Sequence, residues 1–127
     1  MNINKVNRIF LKLFGISGAF SVLFGAWLAH AAGALSVEDI ARLKTAHQYQ
    51  VIHTLALLAV CLFNMSNPQK LLLITCSCFL VGTLLFSGLI YLKVLIGFSA
   101  LSMLTPVGGI LFAIGWLTLL FVGSEKE

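Results

Sequence analysis

The side chains best suited to chemistry in this chain are His30, His47, Tyr49, Gln50 and His53, joined further on by Ser87 and Tyr91. Neutral imidazole is a common metal ligand and carries protons near neutral pH. Phenol, amide and hydroxyl groups supply hydrogen bonds that are seldom left unmade in apolar surroundings. At about 100° per residue, His47, Tyr49, Gln50 and His53 fall within one arc of roughly 160° on a helix. Val51, Ile52, Leu55, Leu58 and Leu62 take the opposite side. Thr83, Ser87 and Tyr91 recur every fourth residue and so share one face of another helix. Three readings compete for this cluster. It fastens helices through interhelical hydrogen bonds, or it holds a metal or haem between His30 and His53 with His47 nearby, or it lines a pocket for a small polar ligand or a proton. No CxxCH attachment motif is present, and His47 and His53, six apart, do not share a helix face closely. The residues therefore assign no cofactor and no metal, His30 and His53 being the candidate ligands if one exists.

The elements that must position these groups follow from composition. The chain has 127 residues, 60% of them hydrophobic and 9% charged, with a mean hydropathy of +1.05. Soluble domains carry about 25% charged residues, and twelve charges are too few to coat a water-soluble body of this size. Disorder is excluded by the same apolar richness. Four apolar runs, Leu13 to Ala34, His47 to Asn64, Leu71 to Leu92 and Thr105 to Gly123, each approach the about 20 residues a bilayer-spanning helix needs. A barrel needs strands of alternating polarity, and Leu71-Leu72-Leu73-Ile74 does not alternate. The expected fold is an all-α integral membrane four-helix bundle. It forms one transmembrane domain over residues 1–127, with helices near 10–33, 37–64, 70–92 and 105–123.

Lys5, Arg8 and Lys12 ahead of an apolar run that ends in Ala29-His30-Ala31 also resemble a secretory signal. The run is long for that purpose, and it is taken as the first helix. Lys and Arg in short loops set orientation. Lys5, Arg8, Lys12, Lys70 and Lys126 fall on one side, and Arg42, Lys44 and Lys93 on the other, which places both termini in the cytoplasm. The net charge of +4 forms no basic face for nucleic acid. Ser36-Val37-Glu38-Asp39 forms a helix-capping arrangement that starts the second helix near Val37. Pro68 separates the second and third helices. Thr105-Pro106 opens the fourth, with Thr105 the expected N-cap. Val94 to Leu104 is too short to cross and is expected to lie at the interface or re-enter. The three cysteines, Cys61, Cys76 and Cys78, lie in apolar runs with neither redox nor zinc spacing, and behave as small hydrophobes.

Helices in lipid gain little from burying apolar side chains, so small residues must let them approach. Gly18, Gly25, Ala29 and Gly33 supply such positions in the first helix, Cys78, Gly82 and Gly88 in the third, and Gly108, Gly109 and Gly115 in the fourth. No Asp, Glu, Lys or Arg lies deep in a span, which argues against the carboxylate-driven exchange of the small multidrug exporters. No nucleophile–base pair, phosphate loop or carboxylate pair is present either.

The motifs taken together resemble domain-of-unknown-function family 423, the YgdD/YwdK-like small inner-membrane proteins of bacteria. They are Gly25-Ala26-Trp27-Leu28-Ala29-His30, Tyr49-Gln50-Val51-Ile52-His53-Thr54-Leu55-Ala56, Leu85-Phe86-Ser87-Gly88 with Tyr91, and Thr105-Pro106-Val107-Gly108-Gly109 with Gly115-Trp116. Leu28 departs from the pattern, standing where the family usually has Gly. The resemblance implies four membrane helices in the bacterial inner membrane and brings no reaction or substrate. It also coincides with the polar or backbone-special positions His30, Tyr49, Gln50, His53, Ser87, Thr105 and Pro106. A site is therefore expected where the first three helices and the start of the fourth meet near the outer surface.

The sequence thus indicates a small multi-pass inner-membrane protein, non-enzymatic, partnered by the lipid bilayer, with homo-oligomerisation left open. Its polar cluster fastens the bundle or binds a small ligand. The alternatives are a metal- or haem-binding redox protein using His30 and His53, and an oligomeric small-solute transporter or channel.

Overall fold

The computed structural model describes residues 2–30 and 32–123. Ala31 of the signal-like pattern and Lys126 of the orientation count lie outside the described residues. Four helices are long and apolar enough to cross a membrane: α1 (Ile3–His30), α2 (Val37–Ser66), α3 (Lys70–Ile96) and α4 (Ser102–Phe121). No strand occurs among the described residues.

The helix ends follow from local chemistry. α1 starts at Ile3, earlier than the expected 10, because Lys and Arg are good helix formers and the Asn2 side chain accepts from the Lys5 amide. The Ser36 hydroxyl accepts from the Asp39 amide at 3.1 Å and caps α2, with Glu38 and Asp39 in the positive first turn. α2 ends at Ser66, just ahead of Pro68. α3 continues past Leu92 to Ile96, where Gly97 adopts φ 72° and the Phe98 amide returns to the Leu92 carbonyl. Val94 to Leu104 forms no helix of its own. Its first three residues finish α3, and Ser102–Leu104 form the 3-10 turn with which α4 opens. That turn displaces the expected cap: Leu104 is the N-cap residue, and Thr105 is already helical with no capping bond from its side chain.

Buried residues on α1 and α2 recur at alternating spacings of three and four. On α1 they are Asn7, Phe10, Phe14, Ser21 and Phe24, and half-buried Ser17 completes the series. On α2 the series is Leu43, Ala46, Gln50, His53, Leu57, Val60 and Asn64. This is the seam pattern of helices packed side by side, and the two helices run antiparallel, with Asn7 beside Asn64 and Ser17 beside Thr54. One apolar cluster gathers Phe10, Phe14, Leu57, Cys61, Leu72, Cys76, Phe79 and Phe112 from all four helices. A second joins Phe24, Leu43, Ala46 and Tyr91, with Leu28 packed against it. Leu28 thus fills space that a glycine would leave. All three cysteines are free and buried. The outer faces carry exposed apolar side chains such as Ile16, Leu23, Ile52, Leu55 and Leu62, as a lipid-facing surface requires.

α3 and α4 come closest. A Cβ built on Gly82 or Gly115 would stand 2.6 Å from the ring of Phe112 or Phe79, and one on Gly108 would stand 2.5 Å from the backbone nitrogen of Phe86. Opposite Gly108, α3 loosens into a π-helical turn over Leu84–Gly88, so a widened backbone and a residue without a side chain meet. A Cβ on Gly25 would likewise stand 3.0 Å from the ring of His47. The other expected packing positions do not act this way. Gly18 and Gly33 face open space, Gly88 meets only Thr83 of its own helix, Gly109 makes ordinary contact with Phe86, and Ala29 is exposed. Helix 1 needs no small-residue stripe because side chains as large as Phe14 and Phe24 fill its seam.

Candidate functional site

The polar groups inside the bundle divide into three bonded sets instead of one cluster. The first lies between α1, α2 and α3. Tyr91 donates its hydroxyl to Gln50 Oε1 at 2.7 Å, and Gln50 Nε2 donates to Ser17 Oγ at 3.1 Å and to the Ser17 carbonyl at 3.3 Å. Ser17 Oγ and Thr54 Oγ1 are hydrogen-bonded to each other at 2.8 Å. Ser87 donates to the Ala46 carbonyl at 2.6 Å, and His47 Nε2 donates to the Ser21 carbonyl at 2.7 Å. Gln50 is 5% exposed and Ser87 1%. In a bilayer no water replaces a missing partner, so each of these bonds holds one helix to another. A lipid-facing groove of about 390 Å³ between α1 and α3 has Ser17, Gln50, Ser87 and Tyr91 in its wall. All four are already bonded, so the groove presents a satisfied surface.

The second set surrounds His53, which is 4% exposed. Nδ1 donates to the Tyr49 carbonyl one turn back at 2.7 Å, and Nε2 accepts from the Trp116 indole N–H at 3.0 Å. An indole N–H only donates, so Nε2 carries no proton and the imidazole is neutral with its hydrogen on Nδ1. The ring stacks on Phe112 with centroids 3.6 Å apart and meets Phe79 edge-on. Nε2, the nitrogen free to ligate in this tautomer, is already engaged, so a metal at His53 would have to displace the Trp116 bond.

The third set lies at the end where α1 begins. Asn64 donates to Asn7 Oδ1 at 3.2 Å and accepts the Gln69 amide at 2.7 Å. Cys61 donates its thiol to the Asn7 carbonyl. Gln69 in turn accepts the Gly123 amide at 3.3 Å, which fixes the end of the described chain beside the α2–α3 loop. Asn7 and Asn64 are fully buried, and Asn7 Nδ2 has no partner among the described residues. Nearby, Thr75 and Thr118 join α3 to α4 through their hydroxyls.

The expected site residues fare unequally. Gln50, Ser87 and Tyr91 meet, and His47 joins the same helix interface. His53 faces α4 instead. Tyr49 lends His53 its carbonyl and lays its ring on Phe86 at 4.7 Å. Thr83 turns back to the Phe79 carbonyl. Thr105 and Pro106 open α4 and join none of these three sets. His30 is exposed and does not approach His53. Thr54, next to His53, bonds Ser17, and thirteen residues of helix separate Ser17 from His30, about 20 Å. Among the described residues no three of His, Cys, Asp and Glu converge as metal ligands would. Sequence reasoning missed Asn7, Ser17, Ser21, Thr54, Asn64, Thr75, Thr118 and Trp116 as partners.

Residues 24–109 match the model of a protein family described as "Protein of unknown function (DUF423)". A UPF0382 membrane protein of Haemophilus influenzae is 37% identical over 93% of this chain and 94% of its own length. The UPF0382 inner membrane protein YgdD of Escherichia coli K12 is 34% identical over 94% of this chain and 92% of its own. A UPF0382 membrane protein of Staphylococcus aureus, SAB0533, is 33% identical over 87% of this chain and 93% of its own. No solved structure matches. With four membrane-length helices and relatives matched nearly end to end, this chain is a small integral inner-membrane protein belonging to the DUF423 family.

Proposed function

We propose that this protein is a non-enzymatic membrane component whose interior polar side chains fasten four helices into one fixed arrangement. The α1 start, the α2–α3 loop and the α4 end face the cytoplasm in this reading. The observation that carries it is the chain of bonds Tyr91 to Gln50 to Ser17 to Thr54, which links three helices through side chains and consumes the groups that a ligand would otherwise meet. Interhelical bonds of this kind contribute about 0.6 kcal/mol each on average. Orientation rests on the five cations at one end against three at the other. The test is thermal unfolding in detergent of Tyr91→Phe and Gln50→Leu, which this reading expects to lower stability. Unchanged stability in both variants would refute it.

A second reading, binding of a small ligand, is favoured by His47. Its Nε2 donates to Ser21, and among the described residues Nδ1 makes no hydrogen bond. The ring borders a groove of about 430 Å³ between α1 and α2, lined by Gly18, Val22, Gly25 and Val51. The ligand class is an apolar molecule with one hydroxyl or amine donor for Nδ1. Retained binding of such a molecule by His47→Phe would contradict it.

A further inference from the structure

The first turns of α1 carry Lys5, Arg8 and Lys12, all exposed. At about 100° per residue the three fall within roughly 60° of one another, nearly opposite the buried Asn7, Phe10 and Phe14. The stripe therefore points away from the bundle. Its depth is set by the neighbouring helices. Val6 and Phe10 share a groove with Lys70, Leu73 and Ile74, while Leu13 and Ser17 share another with Leu80 and Thr83. Lys12 thus lies near the level of Leu80, about 15 Å along α3 from Lys70. On α2, the pairs Asn7–Asn64 and Ser17–Thr54 place Arg8 to Lys12 beside the turns that carry Leu62 and Phe63. Leu62, Phe63 and Ile74 are each about half exposed, at 51%, 48% and 53%. Raising the bundle until the stripe reached water would strip these side chains of hydrocarbon.

Arg8 and Lys12 therefore stand at a level where the neighbouring helices are dressed for lipid, with Lys5 one turn nearer the α2–α3 loop. Long basic side chains relieve this by extending toward the headgroups, and a bare cation in hydrocarbon is costly. No described carboxylate answers them: Glu38 and Asp39 sit in the first turn of α2, at the opposite end of the bundle. The one ion pair among the described residues, Arg42 with Asp39, lies there too. We infer that this face of α1 binds an anionic phospholipid, its headgroup phosphate held by Arg8 and Lys12 and closed over by Lys5. Arg supplies a planar fork matched to phosphate oxygens, and Lys adds a point charge. Farther along the same face Ile16, Ala19 and Leu23 are exposed and offer the acyl chains an apolar bed. This goes beyond the fastening role and stands whichever leaflet surrounds this end.

The test is native mass spectrometry of the full chain, titrated in detergent with phosphatidylglycerol or phosphatidylcholine. Phosphatidylglycerol is expected to bind in clear preference. Each cation removed should weaken it about fivefold, and K5Q/R8Q/K12Q about a hundredfold. R8Q and K12Q made singly decide the matter if the triple variant fails to fold. K44Q/K93Q, at the other end, should keep the wild-type preference. Equal affinity for the two lipids in the wild type would overturn the inference. So would a preference undiminished in both R8Q and K12Q, or one abolished by K44Q/K93Q.

Discussion

The indole N–H of Trp116 donates to Nε2 of His53 at 3.0 Å, tying the fourth helix to the middle of the second. The bond fixes the imidazole as a neutral acceptor, because its other nitrogen is committed to the Tyr49 carbonyl. A histidine that looks in the sequence like a ligand or proton carrier is here held on both sides.

His53→Phe keeps a ring to stack on Phe112 and removes the acceptor for Trp116. Its expected cost is about 0.6–1.7 kcal/mol, from the average to the largest value measured for hydrogen bonds between membrane helices. Thermal unfolding in detergent, with the tryptophan emission of the folded state, checks this. An unchanged midpoint and spectrum would show that the bond carries no weight.

Gly108 and Gly18 should respond oppositely to alanine. At Gly108 the new methyl meets the α3 backbone at Phe86, which cannot rotate away as a side chain tip would, and overpacking of this kind costs about 1–3 kcal/mol. At Gly18 nothing lies within 4 Å, so alanine gains about 0.5–1 kcal/mol of helix propensity. Equal effects at both positions would contradict the close contact between α3 and α4.

Asn64 and Asn7 touch, yet their removal should not be equivalent. Asn64→Leu leaves the Gln69 amide and Asn7 Oδ1 without partners and is expected to cost about 2–3 kcal/mol. Asn7→Leu orphans Asn64 Nδ2 but also eliminates the unpartnered Asn7 Nδ2, so about 1 kcal/mol or less is expected. The reverse order in thermal midpoints would overturn this assignment.

Single cysteines introduced at Asn2 and Ser66 should react with an impermeant maleimide only when the cytoplasmic face is accessible, and one at Ser99 only from outside. Cys61, Cys76 and Cys78 are buried and should stay silent in intact membranes. Labelling of the Asn2 and Ser66 positions from opposite sides would contradict the antiparallel pairing of α1 with α2.

Much of the architecture was legible because a bilayer imposes it: four apolar runs, a proline between the second and third, and Ser36 ahead of two acidic residues. The positions of the ends were less so, since Lys and Arg extend a helix as readily as they mark its boundary, which is why α1 begins at Ile3. The site was half legible. One helical arc held Gln50 and His53 correctly on the buried side but could not say that they face different neighbours. Asn7, Ser17 and Ser21 escaped notice because short polar residues in an apolar run look incidental. The alternation of three and four from Asn7 through Phe24 was available and would have placed them on the seam. Trp116 as the partner of His53 had no such signal, because the pairing depends on how α4 is set against α2.

The account stands most directly on whether Gln50 and Tyr91 act as one fastening. A double-mutant cycle with Gln50→Leu, Tyr91→Phe and the pair, read by reversible unfolding in detergent, isolates their interaction from everything else each side chain does. The bond at 2.7 Å predicts a coupling of about 0.6–1.7 kcal/mol, with the double variant less destabilised than the sum of the singles. Strict additivity, or single variants as stable as the parent, would contradict it.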